Sequence, residues 1–166
     1  MAKIINLSGR ALLSLPVDIC DQKSLRSLDC KHNHLSSLPN KFRQLTNLKG
    51  LLLGSNIFTE IPLSVTKITG LVMIDISYNR LTSLPESFCD LVQLEYLDAS
   101  YNHIRQLPPQ FGLKLKKLKK LLSVWKSFRG PATGYLQRWY PNDTTVPEKQ
   151  KLFRQHRRLN RNNRTA

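Results

Sequence analysis

The residues best suited to chemistry are Cys30, His32 and His34, because a thiolate and two imidazoles are typical ligands of zinc. In the repeat register derived below, Cys30 points into the core and His32 points away from it. The ligands therefore diverge, and we expect no metal site. Cys20 and Cys89 occupy the same repeat position three units apart, roughly 14 Å by strand spacing. That separation is too long for a disulfide.

Sequence motifs for catalysis are missing. The chain has no Gly-rich phosphate loop, no nucleophile elbow and no H-E-x-x-H segment. We therefore expect a protein that is not an enzyme and that needs no cofactor.

The 166-residue chain has a net charge of +15, and most of this positive charge lies in its last third. Residues 1–113 hold 11 Lys and Arg against 9 Asp and Glu, a net charge of +2. Residues 114–166 hold 15 Lys and Arg against 2 Asp and Glu, a net charge of +13. This asymmetry predicts a folded body followed by a basic arm, an arrangement typical of proteins that contact nucleic acid or another polyanion. A solvated tail is the alternative.

An internal repeat dominates the first two thirds of the chain. An aliphatic residue followed by proline recurs every 23 residues, at Leu15-Pro16, Leu38-Pro39, Ile61-Pro62, Leu84-Pro85 and Leu107-Pro108. The same register aligns inward apolar columns, and it aligns Arg10 with Asn33, Asn56, Asn79 and Asn102. The pattern L-x-x-L-x-L-x-x-N-x-L-x-x-L-P resembles the leucine-rich repeat family over residues 2–111. Its length is similar to that of intracellular Ras-binding and plant Ras-group scaffolds.

The columns have a direct structural meaning. L-x-L has the period of a short strand, and stacked units bury an apolar edge that one unit cannot bury alone. We therefore predict an α/β solenoid of five units over residues 1–113, a leucine-rich repeat arc with a short parallel sheet on its concave face. The asparagines predict a buried hydrogen-bonded ladder. Arg10 predicts an irregular first unit, which also has an open strand edge.

Residues between the inward leucines are predicted to form the concave surface. Asp75 and Asp98 should be neighbours, and so should Tyr78 and Tyr101, because adjacent strands lie about 4.8 Å apart. Exposed aromatic side chains beside carboxylates favour protein binding over simple solvation. The candidate protein-binding residues are Asp29, His32, Leu52, Asp75, Tyr78, Glu95, Asp98 and Tyr101.

Two structures are compatible with residues 114–126. They could form a partial sixth unit marked by Leu118 and Leu121, or a basic amphipathic helix with Leu115, Leu118, Leu122 and Trp125 on one stripe. Either would cap the solenoid. Residues 127–166 are predicted to be a basic aromatic arm with a helix near 147–159.

The basic arm supplies the candidate contacts to phosphates. The candidate nucleic-acid-binding residues are Lys116, Lys117, Lys119, Lys120, Arg129, Arg138, Lys151, Arg154, Arg157, Arg158, Arg161 and Arg164. The tail resembles ribosomal-protein extensions in composition only. The aromatic residues of residues 125–140 fit either structural packing or base stacking.

We therefore predict a non-enzymatic adaptor in a larger assembly. A protein would bind the concave face, and RNA or another polyanion would bind the arm, as in a peripheral subunit of a ribonucleoprotein such as a ribosome. A signalling scaffold similar to Ras-binding repeat proteins is the alternative, and a tail folded onto the acidic column is a third hypothesis. Because the sequence shows no signal peptide and no transmembrane segment, we expect an intracellular protein. The cytoplasm is favoured, and mitochondrion and nucleus stay open.

Overall fold

The computed structural model describes residues 3–122 of the chain. Six short strands form one parallel sheet whose spatial order follows the chain order. They are β1 (Lys3–Asn6), β2 (Leu25–Asp29), β3 (Gly50–Leu52), β4 (Met73–Asp75), β5 (Tyr96–Asp98) and β6 (Lys120–Leu122). Each strand pairs with the strand of the next unit, so the predicted solenoid arc is confirmed.

One-turn helices line the opposite, convex side. They are the 3-10 helices Val17–Asp21, Asn40–Gln44 and Glu86–Asp90 and the α-helical turns α1 (Leu63–Thr66) and α2 (Phe111–Lys114). A proline immediately precedes each of the first four turns, and its fixed φ suits the residue before a helical turn. The Leu-Pro column therefore marks where each unit leaves the extended segment and starts its convex turn.

The core lies between the sheet and these turns. Inward strand residues such as Leu28, Leu51 and Leu97 are completely or almost completely buried. The convex phenylalanines close the other side, and the rings of Phe88 and Phe111 stack with centroids 6.4 Å apart. Burial of each such side chain contributes about 1.5–3 kcal/mol relative to exposure. Because one unit alone cannot bury its apolar edge, this contribution depends on the stacking of units.

The predicted asparagine ladder is present. Asn56 shows the pattern: its Nδ2 donates to the backbone oxygens of Cys30 (2.9 Å) and Leu53 (3.0 Å), and its Oδ1 accepts from the Leu35 amide (2.9 Å). Asn33, Asn79 and Asn102 make the equivalent bonds. Each asparagine therefore satisfies backbone groups of its own unit and of the preceding one.

The first unit is irregular, as the arginine at position 10 predicts. The pairing of β1 with β2 shifts register between Lys3 and Ile4, and both Gly9 and Ala11 have positive φ. Apolar residues that are fully buried in later units are only partly buried here, at Ile5, Leu7, Leu12 and Ile19. The β1 end of the solenoid therefore carries less packing per residue than its centre.

The described part of residues 114–126 adopts the structure of a further repeat unit and not that of the amphipathic helix. Lys120–Leu122 pairs in parallel with β5, Leu115, Leu118 and Leu121 are buried, and Leu122 is 42% exposed. This arrangement corresponds to the sixth-unit alternative. The arm of residues 127–166, its helix near 147–159 and the Trp125 position lie outside the described residues, and the division into domains stays a prediction.

The helices of residues 3–122 are single turns, and none has the length or the apolar character required to cross a lipid bilayer.

Candidate functional site

Three rows of residues form the concave surface, and the members of a row come from successive units. The strand pairings align Ile4, Ser27, Gly50, Met73, Tyr96 and Lys120 in the first row. They align Asn6, Asp29, Leu52, Asp75, Asp98 and Leu122 in the second. The third row, just beyond the strands, contains His32, Ser55, Tyr78 and Tyr101. The predicted neighbours Asp75 and Asp98 are register partners.

The aspartate row is less exposed than we predicted. Asp29 and Leu52 are each 1% exposed and Asp75 is 5% exposed, whereas only Asp98 of the predicted row residues is half-buried. The reason is that the carboxylates turn back onto their own chain instead of extending into solvent. Asp29, for example, accepts a hydrogen bond from the amide of Lys31 at 3.0 Å.

Asp75 and Asp98 share one hydrogen-bonding arrangement. Oδ1 of Asp75 accepts from the amide (3.0 Å) and the hydroxyl (2.6 Å) of Ser77, and Oδ1 of Asp98 accepts from Ser100 at the same two distances. Burial raises the pKa of Asp75, the two bonds from Ser77 oppose that effect, and the neighbouring Asp98 charge adds to it. Asp75 is therefore a nearly buried carboxylate beside a second carboxylate.

Residues of the third row adopt left-handed backbone conformations. His32, Ser55, Tyr78 and Tyr101 have φ between 51° and 57°. This conformation lets the chain leave the strand while its amides continue the inter-unit pattern, as in the bond from His32 to the Gly54 oxygen (3.0 Å). Since the backbone and not the side chain holds the turn, the third row can carry different side chains.

Tyr78 and Tyr101 form the exposed feature of this row. Their ring centroids lie 4.1 Å apart with an interplanar angle of 13°, and the residues are 53% and 54% exposed. A hydrogen bond with Tyr101 raises the pKa of Tyr78, because it favours the neutral phenol. The predicted neighbouring pair is therefore confirmed as a parallel stack that points into solvent.

The other predicted protein-binding residues lie apart from this stack. His32 is exposed in the third row, with Ser55 between it and Tyr78. Glu95 does not belong to the first row, since its neighbour Tyr96 occupies that position, and Glu95 instead forms an ion pair with Lys119 (2.9 Å). Strict alternation around Leu97 would have identified Tyr96 as the outward residue.

Four of the predicted phosphate-binding residues are described. Lys116, Lys117 and Lys119 are exposed and Lys120 is half-buried. Lys117 donates to the Gln93 side chain, and Lys119 pairs with Glu95. Arg129, Arg138, Lys151, Arg154, Arg157, Arg158, Arg161 and Arg164 lie outside the described residues.

The cysteines carry no reactive chemistry at this site. Cys20, Cys30 and Cys89 are buried free thiols. Burial raises the pKa of Cys30 to about 12 and that of Cys89 to about 11, so both thiols stay protonated at neutral pH. Cys30 lies in the core and His32 is exposed, which is the divergence expected for that candidate metal motif.

Comparison with known proteins agrees with this geometry. Two family models described as leucine-rich repeats match residues 24–45 and residues 47–104. The chain belongs to the leucine-rich repeat family. Repeats of this family form protein-interaction modules. No curated protein sequence matches the chain.

Solved structures give the same fold. A leucine-rich repeat protein of Leptospira interrogans is 33% identical, with a TM-score of 0.70, over 73% of this chain and 31% of that one. An internalin of Listeria monocytogenes is 26% identical, with a TM-score of 0.56, over 67% of this chain and 31% of that one. This chain therefore spans about a third of the length of each of these two structures.

Proposed function

We propose that this chain is a non-enzymatic adaptor that binds a protein partner on its concave face, with the stacked pair Tyr78 and Tyr101 at the centre of the interface. The observation that carries the proposal is the exposure of this pair. Two aromatic rings, each more than half exposed, stand side by side on a face formed by the protein's repeat strands. Tyrosine is among the residues enriched at the energetic centres of protein interfaces.

The support beneath the tyrosines favours binding because it limits the entropy lost on association. Both backbones are fixed in the left-handed conformation, and the Tyr78 amide donates to the Ser100 oxygen at 3.0 Å. Each ring also restricts the rotation of the other through the stack. A tyrosine held in place in this way loses less side-chain freedom on binding than a freely rotating one.

The basic C-terminal segment is the second part of the proposal. A net charge of +13 over residues 114–166 supports contact with RNA or another polyanion, and the adaptor would then be a peripheral subunit of a ribonucleoprotein such as a ribosome. The alternative is a signalling scaffold similar to Ras-binding repeat proteins, in which the concave face functions and the basic tail contacts an anionic membrane or nothing.

Site-specific photo-crosslinking tests the concave face. The crosslinking residue p-benzoylphenylalanine replaces Tyr101, and in a matched control it replaces Leu63, which is 65% exposed on the convex side. We expect one protein, identified by mass spectrometry, to crosslink at position 101 and not at position 63. Equal crosslinking at both positions, or none at position 101, would contradict the proposed docking face.

Deletion of residues 142–166 tests the polyanion part. We expect RNA association to be lost while the circular dichroism spectrum of the solenoid is retained. In the full chain, raising salt from about 50 to 200 mM should weaken binding by orders of magnitude, because phosphate contacts release counterions. Unchanged RNA binding after the deletion would contradict the proposed polyanion contact of the basic segment and would favour the scaffold alternative.

A further inference from the structure

Two carboxylates on neighbouring strands have an unused hydrogen-bonding oxygen each. Asp75 on β4 and Asp98 on β5 are register partners on the concave face. The serine two residues after each aspartate, just beyond the end of the strand, bonds only to Oδ1 of that aspartate. Within residues 3–122, no hydrogen bond reaches Oδ2 of either side chain. Two parallel acceptors therefore stand about one strand spacing, 4.8 Å, apart.

The Asp75 carboxylate is largely removed from water, but its unused oxygen is not among the fully buried atoms that lack a partner in residues 3–122, so that oxygen still reaches solvent. The residue is only 5% exposed, and an ionised carboxylate removed from water loses free energy of solvation that its partners must replace. Asp98 adds repulsion, and Lys31 is the single cation whose charge acts favourably on Asp75 in the described part of the chain. The raised pKa of Asp75 shows that Ser77 and Lys31 together do not compensate fully.

The tyrosine pair lies close enough to the carboxylates for the Asp98 charge to contribute to the raised pKa of Tyr78. Tyr78 and Tyr101 each follow their aspartate by three residues, and within residues 3–122 the rings stack only on each other. More than half of each tyrosine remains exposed. Aromatic faces attract cations, and they attract the flat guanidinium group of arginine in particular. The carboxylates and the rings therefore favour the same kind of ligand.

We propose that Asp75, Asp98, Tyr78 and Tyr101 form a subsite that binds an arginine side chain of the protein partner. The inference rests on the proposed function and names the chemistry of its ligand. Arginine fits better than lysine because its planar fork of N–H donors can bond two oxygens at once while its face contacts a ring. A metal ion fits less well, since the described residues hold no group of three or more ligating side chains.

Titration of the full chain with two short peptides tests the subsite. The probes are acetyl-Gly-Ser-Arg-Ser-Gly-amide and the same peptide with citrulline, which keeps the shape of arginine and removes its charge. We expect the arginine peptide to shift the NMR amide signals of Ser77 and Ser100 saturably, with a Kd about ten-fold or more below that of the citrulline peptide. In the double variant Asp75→Asn and Asp98→Asn this difference should disappear.

Two controls keep the result interpretable. Glu60→Gln removes an exposed carboxylate elsewhere and should leave both Kd values unchanged. Tyr101→Asn tolerates the left-handed backbone and should weaken arginine binding while leaving the folded spectrum intact. Equal binding of the two peptides, no shift of the two serine amides, or arginine binding that persists in the double aspartate variant would overturn the inference.

The two proposals fail separately. A chain that crosslinks a protein at position 101 and shows no preference for arginine over citrulline keeps the docking face and loses the arginine subsite. A chain that binds the arginine peptide and crosslinks nothing keeps the subsite chemistry and loses the proposed protein partner.

Discussion

At the scale of single residues, two buried polar side chains differ in how completely they are hydrogen-bonded. Asn56 is buried with bonds on both its oxygen and its nitrogen, so its burial costs little. Asp75 is buried with one oxygen bonded, so its charge stays partly uncompensated. The asparagines therefore stabilise the fold. Burial of the Asp75 carboxylate costs free energy, which binding of a cationic partner would offset.

The pH dependence of stability tests the state of Asp75. Because burial raises its pKa above the ordinary 3.8, the folded protein binds this proton more tightly than the unfolded chain does. The free energy of unfolding therefore decreases as pH rises from 3.8 through the raised pKa, and the loss remains at neutral pH. The neutral variant Asp75→Asn keeps an oxygen for the Ser77 bonds and should be more stable than the parent at pH 7, because each pKa unit of the shift corresponds to about 1.4 kcal/mol.

Urea unfolding at pH 7 and near pH 3 measures this difference. The advantage of Asp75→Asn should vanish near pH 3, where the aspartate is protonated in both states. Glu60→Gln, an exposed control, should change stability little at either pH. A variant that is less stable than the parent at pH 7 would show that the ionised carboxylate is a net stabilising group.

At the scale of one element, the asparagine ladder links each unit to the one before it. The Asn56 side chain joins a strand end, a turn and the preceding unit, so its removal leaves several buried backbone groups without partners. We expect Asn56→Ala to lower the free energy of unfolding by about 2–4 kcal/mol. Asn47→Ala removes an exposed side chain that makes one bond, to the Lys23 oxygen, and should cost less than about 0.5 kcal/mol. Equal effects in urea unfolding would contradict the ladder.

The sixth strand is tested by two adjacent leucines. Leu121 is 3% exposed and Leu122 is 42% exposed in the β6 strand, whereas an amphipathic helix would have placed Leu122 on its buried stripe. We expect Leu121→Ala to cost about 2–4 kcal/mol and Leu122→Ala less than about 1 kcal/mol. Thermal unfolding of both variants decides between the two structures, and the reverse order would support the helix.

At the scale of the whole molecule, a stack of units should lose structure from its less packed end. The amides of Leu7 and Gly9 bond only to β2 and its loop, and the side chains around them are partly buried. The amides of Leu53 and Ser55 make the same kind of bond in the middle of the stack, where Leu53 is 1% exposed and Ser55 is half-buried. Hydrogen exchange measured by NMR should therefore be faster at Leu7 and Gly9 than at Leu53 and Ser55. Uniform exchange across the four amides would indicate a single cooperative unit.

Much of the fold was predictable because each column repeats. The pattern occurs in five copies, so a departure in one copy does not hide it. The strand register, the asparagine ladder and the neighbouring tyrosines therefore follow from the 23-residue spacing. The burial of Asp75 did not follow, because it depends on a serine two residues later that captures the carboxylate. The Asp-x-Ser pattern at Asp75 and Asp98 was the available signal. The left-handed backbone of the third row could not be predicted, because its residues are histidine, serine and tyrosine instead of glycine.

The sixth strand was left open for a different reason. Apart from Lys3 with Leu25, the first five units pair at a spacing of 23 residues, as in Asp75 with Asp98, whereas Asp98 pairs with Leu122 across 24. One additional residue breaks the sequence period while the backbone pairing continues. Periodicity alone could not distinguish this shift from a lysine-rich helix, because the leucine spacing fits both.

The face carrying Tyr78 and Tyr101 is the proposed docking surface. Hydrogen–deuterium exchange of the full chain, with and without the partner identified by crosslinking, tests it most directly. We expect slower exchange in residues 73–78 and 96–101 on binding and unchanged exchange in the convex turns at residues 40–44 and 63–66. Protection of the convex turns, with no change around the two tyrosines, would contradict it.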